Sequence, residues 1–120
     1  MIFSLVTLGD NGLLAKIEAK QSWDAFNILA DLLDAFYAGR GAVLEKKDFN
    51  EAVVSGDKRK WSLAVVYQGR EYGKINLTYL GSSPRFKLGK HWDEHELWVY
   101  FEFNTPGISA RERERFRAFV

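Results

Sequence analysis

The residues with the widest chemical range lie together in His91-Trp92-Asp93-Glu94-His95-Glu96, which holds both histidines of the chain. Four residues apart on a helix, two imidazoles share one face, and some zinc sites are assembled that way. This stretch instead follows Gly89 and leads directly into a strand pattern. On an extended chain the two rings would sit roughly 13 Å apart, too far for one ion. No metal site and no cofactor are expected. A small nuclease needs a general base, a general acid and a cation for the phosphate. His91, His95, Glu94, Lys87 and Lys90 supply those residue types, yet no spacing fixes their geometry. There is no Gly-rich phosphate loop, Gly-x-Ser-x-Gly elbow or paired histidine–acid motif. The chain has no cysteine, which excludes thiolate nucleophiles, thiolate metal sites and disulfides. A catalytic role is not expected, and a nuclease-like enzyme ranks third among the function classes.

Two charge patterns remain. Asp24, Asn27, Asp31 and Asp34 recur at steps of three and four, which sets them on one stripe of a helix. Asp31 and Asp34 fall in its C-terminal half, where the helix dipole disfavours anions. No Lys or Arg stands three or four residues away to pair with them. Such a stripe is either a solvated face or a recognition surface for a basic partner. The opposite charge gathers in Lys58, Arg59, Lys60, Arg70, Lys74, Arg85, Lys87 and Lys90, against Glu71 alone, while the flanking regions are net acidic. Trp61, Tyr67, Tyr72, Tyr79 and Phe86 are interleaved with these cations, the composition of a sheet that contacts phosphates and stacks bases. Several of those aromatics fall on the expected core face, and the cations can equally pair with the acidic remainder. Asp93-Glu94 and the Glu112/Glu114 pair read as solvated surface.

The elements that must position these residues follow from periodicity. Ile2–Leu8, a turn at Gly9-Asp10-Asn11-Gly12 and the alternating Leu13–Ala19 make an N-terminal β-hairpin. A helix is predicted from about Trp23 to Ala38, with Ser22 as N-cap and Gly39 and Gly41 as its stop. Phe26, Leu29, Ala30, Leu33, Phe36 and Tyr37 form its apolar face. Residues 42–56 fit a strand at first, then either a short helix or a strand. Trp61–Gln68 and Tyr72–Leu80 are strands joined by a turn at Gly69-Arg70, and a loop runs from Gly81 to about Trp92. Glu96–Asn104 is the clearest strand, with Leu97, Val99, Phe101 and Phe103 on one face. Ser109 and Glu112 have the spacing of a capping box that opens a short C-terminal helix presenting Phe116, Phe119 and Val120.

The 120 residues fit one domain, 15% of them aromatic, enough to fill a core without covalent staples. The expected fold is α+β, with one antiparallel sheet, the main helix packed on it and a short C-terminal helix. No run approaches the roughly 20 apolar residues of a membrane span, and the N-terminus lacks a basic leader. A soluble, cytoplasmic protein is therefore expected, with no membrane contact. The leading function class is a non-enzymatic domain that binds and blocks a protein or nucleoprotein with a basic surface, as toxin-neutralising and phage-encoded inhibitors do. Its partner-binding residues would be Asp24, Asn27, Asp31 and Asp34. The runner-up is a nucleic-acid-binding domain using the basic segment.

Overall fold

Alternating apolar and polar residues build six strands, and two amphipathic helices complete the chain. The computed structural model describes residues 2–20, 22–50, 60–81 and 96–120. In chain order these form β1 (Ile2–Leu8), β2 (Gly12–Glu18), α1 (Ser22–Ala38), β3 (Val43–Asn50), β4 (Lys60–Tyr67), β5 (Arg70–Gly81), β6 (Glu96–Asn104) and α2 (Ser109–Phe119). The strands make one antiparallel sheet in the order β1-β2-β6-β5-β4-β3, as the α+β reading expected. β6 enters between β2 and β5, so both of its edges are paired. Leu97, Val99, Phe101 and Phe103 are buried on one face; on the other Trp98 is buried while Tyr100 and Glu102 are partly exposed.

One face of the sheet carries the core. Leu13, Ala15 and Ile17 of β2 join the four β6 residues, Ile75 and Leu77 of β5, and Trp61, Leu63 and Val65 of β4. α1 lies on this face through Phe26, Leu29, Leu33, Phe36 and Tyr37, and α2 adds Phe116, which is fully buried. Phe116 meets Phe36, Phe101 and Phe103 with ring centroids 5.5–5.8 Å apart. The second face is more polar, with Lys16, Ser62, Lys74, Asn76, Thr78, Tyr100 and Glu102 in register, although Leu14, Ala64 and Trp98 are buried there.

Several boundaries differ from expectation. α1 begins at Ser22, so the residue expected to cap the helix is its first residue instead. Residues 43–50 are a strand, which removes the short-helix alternative for Asp48-Phe49-Asn50. Gly81, expected to open a loop to about Trp92, is the last residue of β5; the rest of that stretch and residues 51–55 lie outside the described residues. The β4–β5 turn is Gln68-Gly69 rather than Gly69-Arg70. Both turn residues have positive φ, 49° and 79°, the backbone whose twist matches two paired strands. Arg70 is thereby the first residue of β5 and not a turn residue.

The capping box does not form. The residue before α2 is Ile108, and no side chain caps the helix N-terminus. Ser109 bonds back to the preceding turn, where its Oγ accepts from the Thr105 N–H and donates to the Thr105 carbonyl, both at 2.9 Å. Glu112 is not solvated surface either, since it is completely buried.

Candidate functional site

Helical phase positions the acidic stripe. With Phe26, Leu29, Leu33, Phe36 and Tyr37 held against the sheet, a period of 3.6 residues carries Asp24, Asn27, Asp31 and Asp34 to the outside. All four are exposed. The last turn of α1 contains no basic residue, so nothing within it offsets negative charge at that end. Asp34 is the carboxylate of the stripe whose titration is shifted. Partial burial pushes its carboxyl above the usual carboxylate range, the charge of Asp31 one turn back pushes it further, and Lys46 on β3 pulls it partly down. Lys46 is also committed elsewhere, with its Nζ 4.6 Å from the Trp61 ring centroid.

The basic segment divides. Lys60 and Arg70 are exposed and Lys74 is half-buried; Lys58, Arg59, Arg85, Lys87 and Lys90 lie outside the described residues. Lys60 and Lys74 occupy the second face of the sheet, but Lys60 pairs in register with Thr78 and Lys74 with Ala64. They are therefore four positions apart along the β4–β5 hairpin, roughly 13 Å. Phe86 lies outside the described residues, and the described aromatic residues of this segment do not form a stacking platform with them. Trp61 is buried in the core, and Tyr67 and Tyr79 pack against it from the covered side. Tyr72 is 44% exposed, yet it meets Tyr67 edge-on at 5.3 Å between ring centroids. A shallow groove of about 370 Å³ at this end is lined by Tyr72, Lys74, Asn76, Asn104 and Pro106.

His91, His95, Asp93 and Glu94 lie outside the described residues. Among the described residues no group of three or more His, Asp or Glu side chains is placed to hold a metal ion.

The cluster that local sequence reading missed joins the two helices. Glu112 Oε2 accepts from the Tyr37 hydroxyl at 2.9 Å and from Arg40 Nη1 at 2.7 Å, while Arg115 Nη1 approaches Oε1 at 3.5 Å. Arg40 in turn lies over the Phe36 and Tyr37 rings, 5.2 and 5.5 Å from their centroids. Burial alone would push the Glu112 carboxyl up. The hydrogen bonds from Arg40 and Tyr37, with the charges of Arg40 and Arg115, outweigh that and hold it below the usual carboxylate range. Burial and the neighbouring carboxylate push the Tyr37 hydroxyl far up, so it stays a donor at any ordinary pH. These partners are all donors of the protein itself, and the buried carboxylate presents no face to a substrate. The signal was in helical phase: residues 112, 116 and 119 share one stripe, so burying Phe116 draws Glu112 inward.

No family model, curated protein or solved structure matches the chain.

Proposed function

We propose that the chain is a non-enzymatic protein-binding domain that docks through the exposed face of α1 on a partner with a basic surface. The observation that carries this reading is the exposed pair Asp31 and Asp34, one turn apart at the end of a helix whose last turn holds no basic residue. Two aspartates one turn apart near a helix C-terminus oppose each other and the helix dipole, and each effect costs a few tenths of a kcal/mol to about 1 kcal/mol. A cationic partner surface relieves both at once. Partial burial and, after it, the charge of Asp31 raise the Asp34 carboxyl, and Lys46 offsets part of this. Asp24 and Asn27 extend the same face toward the start of the helix. A rigid helix backed by the sheet offers such a partner a preorganised surface, which limits the ordering cost of association. Long-range attraction then speeds the encounter.

Blocking follows from size and shape. A domain that covers a basic site on a toxin or a nucleic-acid-processing enzyme excludes the substrate of that site, with no chemistry of its own. The test is capture from the source cell with three forms of the protein. Wild type should retain a basic protein. Asp31→Lys with Asp34→Lys should lose it, and Lys60→Glu with Lys74→Glu should keep it, all three having matching circular dichroism. Retention by the aspartate variant, with loss from the lysine variant, would overturn the reading in favour of phosphate contacts.

A further inference from the structure

The two edges of the sheet are built differently. β3 closes one edge with charged residues in its sequence, Glu45 and Lys46 among them, the kind of charge that keeps an edge strand from pairing with another chain. β1 closes the other with Ile2-Phe3-Ser4-Leu5-Val6-Thr7-Leu8, which contains no charge, no proline and no glycine. Its register with β2 shifts between Ile2 and Ser4 and is regular from Ser4 to Leu8. Among the described residues β1 pairs with β2 alone, so its outer row of N–H and C=O groups faces no strand. The edge is also held in place. From the covered side, Arg117 Nη1 donates to Thr7 Oγ1 at 2.9 Å and Arg113 Nη1 to the Gly9 carbonyl at 2.6 Å.

From this edge we infer that β1 pairs antiparallel with the β1 of a second copy of the chain, joining two six-stranded sheets into one. An outer row of backbone donors and acceptors is matched in full only by another extended strand. β1 is itself such a strand, and a two-fold axis presents the same edge from both sides. With the axis at Val6, Ser4 faces Leu8 of the second copy and Leu5 faces Thr7. The whole regular stretch is then used and the shift at Ile2 is left outside. No like charges meet in that register, and a formal net charge of +1 sets little general repulsion against association. This inference rests on the strand edge and is independent of the reading of α1.

The chain has no cysteine, so a single introduced one reports its own neighbour. Residues opposite each other across antiparallel strands have Cα atoms about 4.5–5.5 Å apart, within disulfide range. Sedimentation equilibrium of the full chain across the micromolar range should give twice the monomer mass at its upper end. Under mild oxidation Val6→Cys should form a disulfide dimer, and Glu45→Cys on the opposite edge should not. Ser4→Lys with Val6→Lys sets two ammonium groups against each other at the two-fold axis, and should raise the dimer dissociation constant roughly tenfold or more. A wild-type chain that stays monomeric throughout would overturn the proposal. So would a dimer that cross-links through Glu45→Cys and not through Val6→Cys. The cross-linking comparison holds even where the lysine variant fails to fold.

Discussion

At the scale of single residues, the buried carboxylate of Glu112 makes the sharpest stability predictions. Replacing it with alanine leaves the Tyr37 hydroxyl and the inner side of Arg40 without their acceptor, at a cost of about 2–3 kcal/mol in denaturant unfolding. The pH dependence has a definite sign. The folded carboxyl of Glu112 lies below its ordinary value of 4.5, so its contribution is present above that pH and is lost as pH falls through the lower folded value. Unfolding curves for wild type and Glu112→Gln should therefore converge on acidification below about pH 4.5 and diverge at neutral pH. Parallel curves throughout would show that the carboxylate's charge contributes nothing to stability. Asp34 has the opposite sign, because its folded carboxyl is raised and favours folding only while protonated. Asp34→Asn should leave neutral-pH stability unchanged or slightly higher. Gly73 gives a steric prediction. A Cβ there would lie 2.8 Å from Thr105 Oγ1 and 2.9 Å from the Asn104 carbonyl and Thr105 Cα. Two of these are backbone atoms that cannot step aside, so Gly73→Ala should cost about 1–3 kcal/mol on thermal or denaturant unfolding.

At the scale of elements, α1 is bound to the sheet by side chains with almost no exposure. Leu33 is fully buried in that interface, and Leu33→Ala should destabilise the fold by about 2–5 kcal/mol, read as a shifted denaturation midpoint with unchanged slope. An unchanged midpoint would contradict the packing. Period-2 and period-3.6 patterns made the strands and α1 legible, because each pattern sits over one continuous buried face. Helix ends and turns were less legible. Gln68 takes positive φ although a side chain there is costly, since the hairpin's twist demands it and Gly69 bears the rest. The Ser109–Glu112 spacing suggested a cap, yet tertiary contacts decide the matter. Ser109 has Thr105 to bond and Glu112 has Arg40 and Tyr37, so neither is available to the helix end. The exposed placement of Asp24, Asn27, Asp31 and Asp34 was readable because it is the complement of the apolar face. The Tyr37–Glu112–Arg40 cluster was not, because it joins residues 72 and 75 positions apart in the chain.

At the scale of the whole molecule, surface charge and sheet edge are separate features with separate consequences. The acidic face of α1 lies over the covered side of the sheet, while Lys60 and Lys74 stand on the other side. The near-neutral net charge says nothing of this placement, and the arginines of α2 share the covered side with α1. Among the described residues no helix is long and apolar enough to cross a membrane. The proposed function depends above all on the exposed face of α1 being the surface that meets a partner. Photo-crosslinking from Asn27, in the middle of the acidic stripe, reads that contact where it forms, and the same probe at Lys60 samples the far face. One basic protein adduct is expected from position 27, diminished by Asp31→Lys with Asp34→Lys, and none from position 60. A nucleic-acid or protein adduct from position 60, with nothing captured from position 27, would contradict the assignment of α1 as the docking face.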